Sequence, residues 1–173
     1  MPTWYDIYNF YMYSPQKLYI MDYNTELIET LNDLVQINND RIEGYGKAIR
    51  DSKAGDMEYH PLFKKLMEQS YQYKQELINE INKLGGSADI QETTSSGKVY
   101  RVWMDIKSAF TGKTEASVLE LCEFGEDAAQ KAYHEALTSS VSMPADTREL
   151  IRVQKAKLKE SHDLIKRSRD MAV

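Results

Sequence analysis

Four polar side chains interrupt otherwise apolar helical repeats of this sequence, and their types could support chemistry. They are Asn38, Gln69, Glu126 and His162, one in each of four long segments. Each lies near the middle of its segment. Because the midpoints of antiparallel helices of similar length lie at similar height, we expect the four side chains to meet in one buried layer of a bundle.

Metal binding is one chemistry that such a layer can support, since bundles build metal sites from side chains on facing helices. A di-iron site takes one Glu from each of two helices and a Glu-x-x-His from each of the others. Glu126 and His162 supply one carboxylate and one imidazole, but Asn38 and Gln69 are amides. Lys159 stands three residues before His162, where a Glu is wanted. The metal hypothesis is therefore a single iron or zinc ion on Glu126 and His162.

A buried hydrogen-bonded layer is the alternative, and it is the interpretation that the incomplete ligand set favours. A carboxylate that points into a bundle needs a cation, a metal ion or a proton. In this interpretation Glu126 pairs with His162, and the amides of Asn38 and Gln69 complete the layer. Such layers fix helix register. No cofactor is then expected.

The helices that position this layer follow from apolar residues repeated at spacings of three and four. Their predicted limits are about 24–52, 58–84, 113–139 and 145–169. Asn24 or Thr25 can cap the first helix, and Pro61 suits the first turn of the second. Gly85-Gly86 ends the second helix, with one glycine in the left-handed conformation. Pro144 suits the start of the fourth.

Two further segments have distinct predicted roles. A polar stretch, 87–97, and a short amphipathic helix, 98–110, separate the second and third long helices, which predicts a crossover between the two ends of the bundle. Residues 1–23 hold six tyrosines, Trp4 and Phe10. This composition predicts an arm that docks on a neighbouring subunit, with an extension folded over its own domain as the alternative. The predicted division is an arm, 1–23, and a bundle, 24–170.

Composition excludes several classes of function. The 173 residues carry a net charge of −5 with both signs interspersed, so we expect no nucleic-acid partner. The single cysteine, Cys122, rules out a disulfide framework and suits a reducing, cytoplasmic location. No run approaches the roughly 18 apolar residues of a membrane span. We find no phosphate-binding glycine loop and no nucleophile elbow, which favours a protein that is not an enzyme.

Several stretches resemble a known family: LNDLVQINNDRIEGYGKAI, QELINEINKLGG, GKVYRVWMDIKSAFTG, CEFGEDAAQKAYHEAL and ESHDLIKRSRD. They are similar to the bacterial ferritin-like four-helix-bundle proteins grouped as domain-of-unknown-function family 2383. The resemblance covers about residues 24–170. It implies a ferritin-like bundle with a short crossover helix, and it implies no established activity.

The wider ferritin-like superfamily implies iron chemistry at a di-iron site, and the residues here match it only in part. Glu126 resembles the glutamate of the third helix, and His162 resembles the histidine of the fourth. Asn38, Gln69 with Gln72, and Lys159 stand at the remaining ligand positions.

The combined prediction is an all-α, ferritin-like four-helix bundle that is cytoplasmic and homo-oligomeric. Its predicted role is a non-catalytic structural, stress-related or interaction protein with a degenerate metal site. The alternative role is a metal-binding protein or oxidoreductase that uses Glu126 and His162.

Overall fold

Four long α-helices make up most of the chain. A computed structural model of the protein describes residues 15–51, 58–88 and 114–172. The helices are α1 (Pro15–Asp51), α2 (His60–Lys83), α3 (Glu115–Thr138) and α4 (Ala145–Met171). These ranges contain no β-strand, so the prediction of an all-α four-helix bundle is confirmed. The limits predicted for α2, α3 and α4 are correct to within about two residues, the usual uncertainty of a helix end.

Hydrogen bonds between the helices show their directions. Asn24 near the start of α1 reaches Leu84 at the end of α2, so the two helices are antiparallel. On the opposite pair, Tyr133 late in α3 bonds Gln154 early in α4, and these helices are antiparallel as well. α1 also runs antiparallel to α3, because Asn38 contacts Tyr133 whereas the later Arg41 contacts the earlier Glu126.

α2 and α3 are consequently parallel, which bears on the segment between them. Both run opposite to α1, so the end of α2 and the start of α3 lie at opposite ends of the bundle. The chain between Ala88 and Thr114 must join these two ends, as a crossover does. The predicted crossover helix, 98–110, lies outside the described residues.

The first helix begins earlier than predicted. α1 starts at Pro15, and it passes without a break through the predicted boundary at residue 24. Proline suits a helix start, and no glycine or proline follows it before Gly44. The prediction that Asn24 or Thr25 caps α1 was therefore wrong. The Nδ2 atom of Asn24 instead lies 3.4 Å from the carbonyl oxygen of Leu84 in α2.

The ends of the other helices follow their local sequence. Pro61 occupies the first turn of α2, and Gly85 after its end has a φ of 79°, which confirms the predicted left-handed glycine. Thr114 caps α3, since its side chain accepts a hydrogen bond from the backbone N–H of Ser117. Pro144 precedes α4.

Aliphatic side chains from all four helices fill the core. Its fully buried members include Leu27, Leu31, Leu66, Leu77, Ile81, Leu119, Ile151, Leu158 and Ile165. α1 packs mainly on α2, and α3 mainly on α4, whereas α2 and α4 touch only lightly. None of the described helices has a stretch apolar and long enough to pass through a bilayer.

A buried hydrogen bond joins α2 and α4, whose interface is lightly packed. The Thr147 hydroxyl donates to Oε1 of Glu80 at 2.5 Å, and Nζ of Lys83 donates to Oε2 at 2.9 Å. Burial alone would raise the pKa of Glu80, but the hydrogen bonds from Lys83 and Thr147 outweigh it and lower the pKa below its ordinary value of 4.5. The ionised carboxylate is therefore the form that stabilises this interface.

We predict that Glu80→Gln removes a pH-dependent part of the stability. A carboxyl whose pKa is lower in the folded than in the unfolded state stabilises above its unfolded pKa, and this contribution disappears as pH falls through the folded pKa. The wild type should exceed the variant in unfolding free energy at pH 7 and converge with it at low pH. Urea unfolding across pH 2.5–7 measures the difference; a gap that is constant with pH would contradict the prediction.

A buried charged layer as the candidate functional site

Arg41 lies at the centre of the bundle and is the largest fully buried side chain described, with none of its surface exposed. It stands on the inward stripe of α1, three residues after Asn38 and four before Tyr45. Residues at this spacing share one helix face. A buried guanidinium is costly unless its N–H groups are hydrogen-bonded and its charge is balanced. The surrounding helices supply both.

Four hydrogen bonds hold the guanidinium. Nε and Nη2 donate to Oε1 of Glu126 on α3, at 3.0 and 2.8 Å. On α2, Nη1 donates to Oγ of Ser70 at 2.9 Å, and Nη2 donates to Oε1 of Gln69 at 3.2 Å. That same oxygen of Gln69 accepts from the hydroxyl of Ser161 on α4 at 3.0 Å. One charged group therefore connects α1 directly to two helices and through Gln69 to the fourth.

Glu126 balances this charge, and Tyr45 completes its surroundings. The carboxylate is 1% exposed, and the Tyr45 hydroxyl donates a hydrogen bond to its Oε1. The guanidinium carbon of Arg41 lies 5.8 Å from the centre of the Tyr45 ring, within the range of a cation–π contact. Within the described residues, Oε2 of Glu126 has no hydrogen-bond partner. The carboxylate is thus bound through one oxygen by three donor groups.

A second network, of amides and a tyrosine hydroxyl that ends on a carboxylate, lies one turn away and also crosses the bundle. Nδ2 of Asn38 donates to the Tyr133 hydroxyl at 2.8 Å, and this hydroxyl donates to Oε1 of Gln154 at 2.7 Å. Nε2 of Gln154 in turn donates to Oε2 of Glu76 at 2.7 Å. The chain of bonds runs from α1 through α3 and α4 to α2. The polar layer therefore has two tiers, and each tier touches every helix.

Three of the four predicted layer residues meet in these tiers, and His162 does not. Asn38 and Glu126 are buried, and Gln69 is half-buried. Nε2 of His162 lies 3.1 Å from Oδ1 of Asp127 and 3.8 Å from Oε1 of Glu123, at the flank of the α3–α4 pair. No hydrogen bond or ion pair joins it to Glu126 in the described ranges.

The expected partner of Glu126 therefore needs correction: it is Arg41 in place of His162. The cause is the helix geometry. His162 lies one position beyond the buried Ser161 of α4 and approaches α3 at Glu123 and Asp127, on either side of the inward Glu126. The cation that a buried carboxylate requires comes from α1.

Burial and charge change the pKa values in this layer. Burial alone would lower the pKa of Arg41, but Glu126 and Tyr45 more than compensate and raise it, so the guanidinium keeps its proton. Burial, followed by the Glu126 carboxylate, raises the pKa of the Tyr45 hydroxyl well above its ordinary value. The same two causes raise the pKa of Cys122. These groups are consequently poor nucleophiles and poor bases at neutral pH.

The layer does not fit the di-iron centre that the resemblance to ferritin-like proteins implies. Such a centre needs several carboxylates around two cations. Here Oε1 of Glu126 already holds a permanent cation, Nδ2 of Asn38 donates to Tyr133, and Oε1 of Gln69 accepts from Arg41. Oδ1 of Asn38, like Oε2 of Glu126, is buried without a hydrogen-bond partner among the described residues. Among the described residues, no group of three His, Cys, Asp or Glu is arranged to hold a metal ion. The single-ion hypothesis on Glu126 and His162 stays a prediction.

Sequence reasoning missed Arg41 because an arginine usually indicates an exposed position. The apolar spacing of α1 favours Ile42, its neighbour, as the inward residue. One signal pointed to Arg41: an inward Glu126 required a cation, and Arg41 is the arginine one turn from both Asn38 and Tyr45. On α2, the fully buried polar residue is likewise Ser70, next to the predicted Gln69.

Comparison with known proteins places this chain in a family. Residues 26–139 match the family described as "Domain of unknown function (DUF2383)", and the chain belongs to that family. No curated protein matches the sequence. The match includes Arg41, Ser70 and Glu126 and ends before α4. Gln154 and Ser161, which connect both tiers to the fourth helix, therefore lie outside the matched residues.

We predict that Arg41 and Glu126 are strongly coupled in stability. Removing one partner of a buried ion pair leaves an uncompensated charge and costs about 3–5 kcal/mol. Arg41→Met and Glu126→Leu should each lose about this much, whereas the double variant should recover about 2 kcal/mol of the summed loss, because no lone charge remains. Chemical unfolding of the four proteins provides the measurement.

The exposed pair Arg152–Glu149 on α4, joined at 2.7 Å, is the matched control. Its coupling energy should stay below about 1 kcal/mol, as exposed ion pairs usually do. Equal coupling in the two pairs would contradict a special role for the buried one.

Proposed function

We propose that this protein is a non-catalytic structural or interaction protein with a ferritin-like bundle, in which a buried ion pair has taken the place of a metal centre. One observation carries the proposal: the fully buried Arg41 guanidinium binds Glu126, the strongest ligand of the predicted metal set. A fixed positive charge at this position repels a metal cation at the distance of a direct contact.

The chemistry of the layer supports the same function. A catalytic site needs groups that can exchange protons or attack a substrate near neutral pH. The raised pKa values of Tyr45 and Cys122 keep both groups protonated, and Arg41 stays charged. Every one of these groups is also buried. The layer is suited to holding four helices together and is poorly suited to turnover.

We predict weak metal binding that does not depend on the layer. When Fe²⁺ or Zn²⁺ is added without oxygen and excess ion is removed, the wild type should keep less than about one equivalent. Elemental analysis should give the same value for Glu126→Gln and His162→Ala. The variant His134→Ala is a matched control, because His134 is an exposed histidine on α3.

The alternative function, a metal-binding protein or oxidoreductase, predicts a different pattern. The wild type should then bind one or more equivalents of metal ion. This binding should be lost in both Glu126→Gln and His162→Ala and retained in His134→Ala. That pattern would overturn the proposal. Circular dichroism on each variant verifies that the helices remain folded.

We also propose that the protein is a cytoplasmic homo-oligomer whose N-terminal residues contribute to the subunit contact. The support is compositional: residues 1–14 contain four tyrosines with Trp4 and Phe10, and aromatic residues are favoured anchors of protein interfaces. The single cysteine suits a reducing compartment.

We predict that deletion of residues 1–14 lowers the molar mass in solution. This cut ends just before α1 starts at Pro15, so it leaves all four helices whole. Light scattering should give a multiple of the chain mass for the full protein and a smaller multiple for the deletion. A full protein that is already monomeric, or an assembly that the deletion leaves unchanged, would refute the role of this segment.

A further inference from the structure

A cleft between α1 and α3 lies next to the tier of Asn38 and Tyr133, on the side away from Arg41, and combines apolar walls with carboxylates. Its volume is about 180 Å³. Pockets for drug-sized ligands occupy roughly 300–1,000 Å³, so this cleft suits a smaller molecule. It is located near the end of the bundle where α1 begins and α3 ends.

The inner walls of the cleft are apolar. Leu34 of α1 lines it together with Ala132 and Ala136 of α3, and all three side chains are buried. The two alanines have short side chains, which leaves space between the helices. Methylene groups of a ligand would be removed from water against these walls, which favours binding.

Two carboxylates line the outer part of the cleft. Asp33 of α1 is half-buried, and Glu135 of α3 is exposed. The nearest cation described for Glu135 is Lys131 at 4.0 Å, with both side chains largely exposed. Such a pair contributes little. The cleft thus presents negative charge next to apolar surface.

The surroundings of Asp33 leave the negative charge of its carboxylate poorly compensated. Burial raises the pKa of the Asp33 carboxyl, and the neighbouring carboxylate of Glu29 raises it further. Both influences disfavour the ionised form. A cation placed between Asp33 and Glu135 would relieve both, because opposite charges at close range favour ionisation.

We propose that this cleft binds a small linear aliphatic amine, with its ammonium group between Asp33 and Glu135 and its methylene chain against Leu34, Ala132 and Ala136. The apolar walls distinguish this ligand from a hydrated metal ion, which would need oxygen ligands on all sides. The site is independent of the Arg41–Glu126 layer and of the function proposed above.

Calorimetric titration with n-butylamine tests the proposal directly. We expect saturable one-site binding to the wild type, and no binding of 1-butanol, which has the same chain length and no charge. Asp33→Asn and Glu135→Gln should each weaken binding at least about tenfold, equivalent to 1.4 kcal/mol. Glu68→Gln, which removes an exposed carboxylate on α2, is the matched control and should leave the affinity unchanged.

A further variant separates the cleft from simple surface charge. Ala132→Leu fills the apolar wall and keeps both carboxylates, so it should abolish amine binding in a protein whose thermal unfolding verifies that it is folded. Three results would overturn the proposal: no saturable binding, equal binding to all variants, or displacement of the amine by equimolar Mg²⁺.

Discussion

The full burial of the Arg41 guanidinium is the constraint on which the rest of the bundle depends. A charged group taken out of water needs an opposite charge and partners for its N–H groups. Here those partners come from Glu126 on α3 and from Gln69 and Ser70 on α2. If any of these helices slid by one turn, about 5.4 Å, the hydrogen bonds would be lost. The ion pair and the hydrogen bonds of the same guanidinium therefore fix the relative height of three helices.

Hydrogen bonds also compensate for the uneven packing of the helices. α1 with α2 and α3 with α4 form the closely packed pairs, whereas α2 and α4 touch only lightly. Polar bonds cross this weak interface at several heights: Thr147 to Glu80, Gln154 to Glu76 and Ser161 to Gln69. At the α2–α4 interface, directional hydrogen bonds fix the relative position of the helices, as side-chain packing does between α1 and α2 and between α3 and α4. This arrangement suits a scaffold with one defined geometry.

The sequence was sufficient to predict the helices but only part of the layer. Apolar repeats at three- and four-residue spacing predict the buried faces of α3 and α4 closely, because burial follows periodicity. The predicted start of α1 comes too late in the sequence, because Asn24 and Thr25 are residue types that cap helices although α1 continues through them. The residues of the layer are harder to predict, because adjacent positions such as Arg41 and Ile42 differ by only about 100° around a helix. Whether Arg41 or Ile42 faces Glu126 depends on where α2 and α3 lie relative to α1.

The same ambiguity between adjacent residues explains why His162 does not pair with Glu126 as predicted. It neighbours Ser161 on the inward stripe of α4, and its side chain faces Asp127 and Glu123 at the flank. A sequence pattern gives the helix face to within one residue, and this error is enough to exchange a buried ligand for a side chain that contacts carboxylates at the flank. Partner identity in a bundle is therefore a tertiary property that periodicity alone does not determine.

Hydrogen exchange at the side chain of Arg41 tests the central claim most directly. In ¹⁵N-labelled protein, the Nε–H signal of Arg41 can be assigned by its loss in Arg41→Lys and compared with that of the exposed Arg152. We expect exchange at least about a hundredfold slower for Arg41, since its N–H groups contact water only when the bundle opens. Exchange as fast as that of Arg152 would contradict it, because the guanidinium would then be in contact with solvent.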